Sequence, residues 1–142
     1  MSRYYIDSCI WLNLFKKEGD ETRGKPYHEL AEEFLNLAET RKDEVVISTF
    51  VLKELKYVLK EDFVVLTKRL NHMKLKLIEP DQHDYSLARF YERLSDYRLS
   101  FGDCMHMAIS KRYELLLITR DRKLLIFSRR FISAHRPEEL LV

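Results

Sequence analysis

Three short apolar runs, VVIS at 45–48, LKLIE at 75–79 and LLLIT at 115–119, are separated by stretches whose apolar residues recur at helical spacing. Apolar runs of this length, bounded by polar residues, are typical of buried strands. Strands that alternate with helices favour right-handed crossovers and a parallel sheet that is covered on both faces. The pattern therefore predicts an α/β fold in three layers, α/β/α, with a central parallel sheet of four to five strands.

The positions of the individual elements follow from the same periodicities and from capping residues. We predict further strands at 3–7 and, at the edge of the sheet, at 131–135, whereas the polar segment 19–25 is predicted to be a mobile connection. Thr49 and Ser100 are predicted to begin helices, because hydroxyl side chains are favoured at helix N-termini. The predicted helices cover 8–17, 27–41, 50–59, 61–73, 84–97 and 100–113, and Pro137 begins a last helical turn.

Length and composition limit the class of protein. The 142 residues, 46% of them apolar, suit a single domain over 1–142 with a real core. No apolar run approaches the roughly 20 residues that span a bilayer, and Asp7 and Asn13 interrupt the apolar N-terminus. We therefore expect a cytoplasmic protein with no membrane partner, in which Cys9 and Cys104 are reduced. The net charge of +2 permits nucleic-acid binding without requiring it.

Four separated carboxylates stand beside apolar elements: Asp7 after the first strand, Glu54 on a helix, Asp103 in the first turn of another helix and Asp121 after the LLLIT strand. In open α/β sheets, ligands bind at the carboxyl ends of the strands, where Asp7 and Asp121 are expected. Ionised carboxylates that meet in one cleft repel one another unless a cation compensates them. Because oxygen ligands suit Mg²⁺ or Mn²⁺, the four acids predict a site for metal-dependent phosphate chemistry.

Each acid also has a purely structural explanation. Asp7 could cap the first helix, and Asp121 could cap a short segment that begins at DRKLL. Glu54 lies between the core stripe and the lysine face of its helix, so it could pair with a nearby lysine. Asp103 fits an S-x-x-D capping box with Ser100. These alternatives stay open from the sequence.

Other polar residues near the acids are weaker candidates for substrate binding. Ser8 and Thr119 each place a hydroxyl beside a candidate acid, and Arg120, Arg122 and Lys123 could contact the phosphate backbone of a nucleic acid. His106 follows Asp103 by one helical turn and could bind a metal ion or assist proton transfer, although such a histidine is more often packed or hydrogen-bonded.

Taken together, these segments resemble the PIN-domain ribonucleases, which include the VapC-type toxins of toxin–antitoxin pairs and related archaeal proteins. The matching features occur in family order over nearly the whole chain: a first strand that ends in Asp7-Ser8, a helix with Glu54-Leu55, a D-x-x-x-x-A helix with Asp103 and Ala108, a strand that ends in Thr119-Arg120-Asp121, and a closing Pro137-Glu138-Glu139. The basic residues around Asp121 are a departure, since many members have an acid or an aromatic residue there.

The resemblance implies a PIN-like fold and a ribonuclease that hydrolyses RNA with Mg²⁺ or Mn²⁺ bound by Asp7, Glu54, Asp103 and Asp121. It also implies an antitoxin that covers the acidic cleft, with a basic side chain inserted between the carboxylates, and a homodimer formed through the apolar helices. The main alternative is a PIN-like module that binds nucleic acid or protein without catalysis. A phosphatase of the haloacid-dehalogenase type is disfavoured, because Cys9 stands where such enzymes carry a second aspartate.

Overall fold

The computed structural model describes residues 1–17, 21–22 and 24–141, and these residues form an α/β fold in three layers. The strands are β1 (Arg3–Ile6), β2 (Glu21–Thr22), β3 (Lys25–Pro26), β4 (Glu44–Ser48), β5 (Leu75–Ile78), β6 (Leu116–Ile118) and β7 (Ala134–His135). The helices are α1 (Ser8–Lys16), α2 (Tyr27–Thr40), α3 (Thr49–Leu59), α4 (Phe63–Asn71), α5 (Gln82–Leu94), α6 (Phe101–Tyr113) and α7 (Arg122–Ser128). Short 3₁₀ turns at Lys60–Asp62 and Pro137–Leu140 complete the described chain.

The central sheet has the strand order β5-β4-β1-β6-β7, and every pair of neighbours in it is parallel. The chain starts in the middle of this sheet, builds β4 and β5 on one side, and then crosses over to build β6 and β7 on the other. The direction of the strand order therefore reverses at β1. In open α/β sheets, such a reversal leaves a crevice at the carboxyl ends of the strands. The predicted parallel sheet is confirmed, and the crevice lies where β1 and β6 end.

The core explains why these segments fold as they do. Strands β1 and β4 are buried from Tyr4 to Ile6 and from Val45 to Ser48, as expected for a parallel sheet that is covered on both faces. One stripe of each amphipathic helix packs against this sheet, and Leu55 and Trp11, for example, are completely buried. No helix in the described residues combines the length and the apolarity that crossing a membrane requires.

Several predicted boundaries need correction. Ser48, not Thr49, caps α3, since the Ser48 hydroxyl accepts a hydrogen bond from the Val51 N–H. The predicted helix at 61–73 is divided into a 3₁₀ turn and α4, and the helix predicted at 84–97 begins two residues earlier, after the cap Asp81. The last strand is restricted to Ala134–His135, because residues 131 and 132 close the turn that ends α7.

The segment between α1 and α2 was predicted to be a connection, and part of it lies outside the described residues. Within the described part, Glu21–Thr22 and Lys25–Pro26 pair as a short antiparallel ribbon. The polar composition of this segment gave no strand signal, because two-residue strands carry no periodicity for a sequence to reveal.

Candidate functional site

Asp7 lies at the end of β1, where its backbone N–H continues the ladder by donating to the Ile118 carbonyl at 2.9 Å. Its side chain is 7% exposed and is held by neighbouring donors. The Thr119 hydroxyl donates to Oδ2 at 2.8 Å, and the Ser8 hydroxyl lies 3.3 Å from Oδ1. Asp7 occupies the N-cap position of α1 without a side-chain cap bond. The capping alternative for Asp7 is therefore wrong, and the carboxylate is directed towards other groups.

Glu54 and His106 complete a compact cluster with Asp7. His106 Nε2 lies 2.7 Å from Glu54 Oε1 and 3.3 Å from Asp7 Oδ1, and the imidazole is 1% exposed. Burial opposes the charged imidazolium, but the carboxylates of Asp7 and Glu54 outweigh it, so the pKa of His106 lies above its ordinary value. The pairing of Glu54 with a lysine, which the sequence left open, is not the contact that these distances show.

A hydrogen-bonded chain supports the imidazole from the opposite side. His106 Nδ1 lies 2.9 Å from the Tyr5 hydroxyl, which lies 2.7 Å from Ser48 Oγ. All three side chains are buried. Burial raises the pKa of Tyr5 well above its ordinary value, so its hydroxyl stays protonated and can always donate or accept a hydrogen bond. This arrangement fixes the orientation of the imidazole ring.

Asp103 and Asp121 approach the cluster from α6 and α7. The N–H of Asp103 donates to Ser100 Oγ at 3.1 Å, so α6 begins with the predicted serine cap. Burial, together with the charges of Asp121 and Asp7, raises the pKa of the Asp103 carboxyl to about 6. Asp121 caps α7 by accepting from the Leu124 N–H at 3.1 Å, which confirms the capping alternative for this residue. Asp121 therefore caps α7 and also raises the pKa of Asp103 through its charge.

Gly102 shows how closely Glu54 of α3 approaches the start of α6. A Cβ atom at this position would lie 2.9 Å from Glu54 Oε2, nearer than real Cβ contacts allow. Because Gly102 has no side chain, the Glu54 carboxylate can lie against the start of α6. The sequence pattern S-F-G-D was interpreted only as a helix start, and it held no signal for this contact.

Among the basic residues that were predicted to contact substrate, Arg120 has a different environment from the others. Its guanidinium lies 2.8 Å from a carboxylate oxygen of the buried Glu138 and stacks 3.8 Å above the Tyr27 ring centroid, and its side chain is 10% exposed. These contacts assign Arg120 to the packing of α2 against the C-terminal turn, and we do not retain it as a phosphate contact. Arg122 and Lys123 are exposed beside Asp121.

An open cleft of about 390 Å³ lies next to the cluster, between α1 and α3. Its lining includes Ser8 and Glu54 of the site, together with Lys53 and Tyr57. Val58 is 43% exposed and lines the cleft. The remaining lining residues are Leu12 and Phe50.

The chemistry of the donor set fits a divalent cation. Asp7, Glu54 and His106 each offer one ligand atom, and these atoms all lie within 4.8 Å of one another. Of the four predicted acids, the structure therefore brings Asp7 and Glu54 together directly, whereas Asp103 and Asp121 stand outside this group. Asp103 is coupled by charge to Asp7 and to Asp121. Two anionic oxygens and a neutral imidazole would hold a dication in surroundings where the carboxylates alone repel one another.

Comparisons with known proteins agree with this fold. The family model described as the PIN domain matches residues 4–130. VapBC2 from Rickettsia felis, solved bound to a DNA fragment from its promoter, superposes with a TM-score of 0.71 at 17% identity, over 94% of this chain and 98% of that one. FitAcB from Neisseria gonorrhoeae gives 0.65 at 17% identity over 96% and 99%.

A third structure of the same fold is VapC20 from Mycobacterium tuberculosis, a toxin that cleaves the sarcin–ricin loop. It superposes with a TM-score of 0.67 at 18% identity, over 94% of this chain and 99% of that one. Among curated proteins, no relative matches the sequence.

Proposed function

Since the chain belongs to the PIN domain family, we propose that it is a divalent-metal-dependent ribonuclease that hydrolyses phosphodiester bonds in RNA. The observation that carries this proposal is the meeting of Asp7, Glu54 and His106 at the carboxyl end of the central strand, with Asp103 and Asp121 close enough to raise the cost of their combined negative charge. Carboxylates that lie this close together favour the binding of a divalent cation, and a bound cation can in turn bind and activate a phosphate.

The residues of the chain would position the groups that react. Asp7 and Glu54 would bind Mg²⁺ or Mn²⁺ directly, while Asp103 and Asp121 would bind through water or orient the attacking water. A divalent ion in such a site lowers the pKa of a bound water and neutralises charge that develops on the phosphate. Thr119 supports this arrangement, because its hydroxyl donates to Asp7 and accepts from the backbone N–H of Asp121 at 3.1 Å.

The RNA strand would follow the exposed cations on both sides of the acids. Arg122 and Lys123 lie beside Asp121, and Lys53 borders the cleft beside Glu54. Ser8, at the rim of the same cleft, can donate a hydrogen bond to a phosphate oxygen. Lys and Arg side chains bind phosphates without reading base sequence, so these contacts would provide affinity rather than specificity.

A second part of the proposal concerns protein partners. Several structures of the same fold were solved as VapBC or FitAB complexes. Helices α3 and α4 expose apolar side chains, which are Tyr57 and Val58 at the cleft and Val64 and Val65 on α4. We propose that this chain is a toxin, acting in the cytoplasm, whose antitoxin covers these side chains and the acidic cleft, and that apolar helix surfaces also support a homodimer.

The proposed activity is tested by incubating purified protein with a mixed pool of labelled RNA in Mn²⁺, in Mg²⁺ and in excess EDTA. We expect cleavage that requires the metal and that falls at least about 100-fold in Asp7→Asn, as expected when a metal ligand is removed. Asp62→Asn is the matched control, because this exposed aspartate lies in the 3₁₀ turn after α3, and it should cleave like the wild type.

Two outcomes would contradict the proposal. Equal cleavage by the wild type and Asp7→Asn would show that the activity does not arise from this site. RNA binding that survives EDTA, without turnover in either metal, would favour the alternative in which the domain binds nucleic acid without cutting it.

A further inference from the structure

His106 lies where a ligand of the metal site is expected rather than behind it. Its Nε2 is 2.7 Å from Glu54 Oε1 and 3.3 Å from Asp7 Oδ1. Adjacent ligand atoms of an octahedral ion with ligand distances of roughly 2.0–2.1 Å are about 2.9 Å apart, as follows from the right angle between them. The nitrogen thus lies at the spacing of a neighbouring ligand from both oxygens, and the three donor atoms all lie within 4.8 Å of one another.

The opposite edge of the ring has the support that a metal-binding histidine needs. A ligating imidazole keeps its lone pair at one nitrogen and donates the N–H of the other to a fixed acceptor. Here the Tyr5 hydroxyl, 2.9 Å from Nδ1, can accept that N–H while its own proton is donated to Ser48 Oγ. Ser48 is itself fixed by the N–H of Val51 at 3.0 Å. Without a cation, Nε2 carries the proton that Glu54 accepts at 2.7 Å. When a cation displaces that proton, the Tyr5 hydroxyl can hold the Nδ1–H, so that the Nε2 lone pair is directed at the ion.

We propose that His106 is a nitrogen ligand of the metal site, and that the site therefore selects a transition-metal ion such as Mn²⁺ over Mg²⁺. This inference rests on the proposed function, since it assigns a ligand within the same site. Imidazole is a poorer ligand for Mg²⁺ than carboxylate or water oxygen, whereas transition-metal ions accept it readily. Tyr5 then serves as a positioning residue, which acts on the metal only through His106.

A different role for the same contacts would be a buried ion pair, in which a protonated His106 merely neutralises Asp7 and Glu54. The two roles predict different changes at His106 when a metal ion binds. A ligand gives up its bonds to the carboxylates and becomes bound to the ion through nitrogen. A buried cation keeps its proton and stays out of the coordination sphere, so the ion is held by oxygen alone.

The proposal is tested by pulsed electron paramagnetic resonance of the whole protein loaded with Mn²⁺, together with equilibrium binding of Mn²⁺ and Mg²⁺. We expect ¹⁴N modulation from a directly bound imidazole in the wild type, and Mn²⁺ binding tighter than Mg²⁺ by more than about tenfold. In His106→Gln the nitrogen signal should vanish and the two affinities should become similar. Tyr5→Phe should retain the signal but weaken Mn²⁺ binding about tenfold or more.

His83→Gln is the matched control, because this histidine is exposed at the start of α5 and should change neither quantity. Mn²⁺ that is bound without nitrogen modulation in the wild type would overturn the proposal, even if His106→Gln failed to fold. An unchanged preference for Mn²⁺ in a folded His106→Gln would overturn it as well.

The two proposals fail in different ways. Nitrogen modulation without RNA cleavage in any metal would leave His106 a ligand and remove the ribonuclease activity. Metal-dependent cleavage without nitrogen modulation would leave the ribonuclease and exclude His106 from the coordination sphere.

Discussion

Replacing Asp103 with asparagine should make the metal-free protein more stable at pH 8, although it removes a residue of the site. Burial and the charges of Asp121 and Asp7 raise the pKa of this carboxyl from 3.8 to about 6. The ionised carboxylate therefore destabilises the folded protein relative to the unfolded chain. About 1.36 kcal/mol per pKa unit sets an upper limit near 3 kcal/mol. Solvent and salt screen a group that is not fully buried, and we expect about 1–2 kcal/mol.

The sign and the pH range follow from the same shift. The folded pKa lies above the unfolded value, so the folded protein binds the additional proton between pH 3.8 and about 6. Below this range the carboxyl is neutral in both states and carries no penalty. As the pH rises through the range, the wild type loses this part of its stability, and by pH 8 the loss is complete. The advantage of Asp103→Asn should therefore be large at pH 8 and small at pH 4.

Thermal unfolding in EDTA at these two pH values measures the effect. A domain of this size changes its Tm by about 2–4 °C per kcal/mol, so we expect Asp103→Asn to unfold about 2–8 °C higher at pH 8. Asp62→Asn, in the exposed turn, is the control and should match the wild type. Adding Mn²⁺ should stabilise the wild type more than the variant, because an ion that binds only the folded state stabilises by mass action. An Asp103→Asn variant that is no more stable than the wild type in EDTA at pH 8 would refute the reasoning.

Four further predictions concern single contacts. Thr119→Val removes the 2.8 Å donor to the buried Asp7 and should lower the free energy of unfolding by about 1–3 kcal/mol in denaturant titration. Asp84→Asn weakens the pair between the buried Asp84 carboxylate and the partly exposed Arg112, at 2.7 and 2.8 Å, and should cost about 1.5–3 kcal/mol. Glu92→Gln, which loses the partner of the more exposed Arg89, should cost under about 1 kcal/mol. Gly102→Ala should displace Glu54 Oε2, which a Cβ would approach to 2.9 Å, and weaken Mn²⁺ binding in calorimetry while the protein stays folded. Arg122→Ala should weaken RNA binding and reduce the salt dependence of log Kd by about one unit, and an unchanged salt slope would exclude this contact.

The sheet could be predicted from the sequence because its signal is local. The runs around Val46, Leu77 and Leu117 are short, apolar and separated by helical periodicity, and parallel strands follow from that alternation. The start of β7 and the ribbon Glu21–Thr22 with Lys25–Pro26 could not be predicted, because strands of two residues carry no periodicity.

The acids of the site were predicted from their positions after apolar elements, but their individual contacts were not. The sequence fits Asp7 as a cap and as a ligand alike, and only the structure shows that its carboxylate makes no cap bond. His106 was considered more often packed than ligating, because a sequence cannot show that its two nitrogens face Glu54 on one side and Tyr5 on the other. Arg120 illustrates the opposite error, since its partner Glu138 belongs to the closing turn.

The account depends on acids that are far apart in sequence binding one cation together. The most direct measurement is equilibrium binding of Mn²⁺ to the wild type, Asp7→Asn and Glu54→Gln, each checked for a normal cooperative unfolding transition. We expect stoichiometric binding to the wild type and a loss of affinity of at least about tenfold in each variant, as removal of a ligand demands. If both variants bind Mn²⁺ like the wild type, the two carboxylates do not hold the ion, and the account is contradicted.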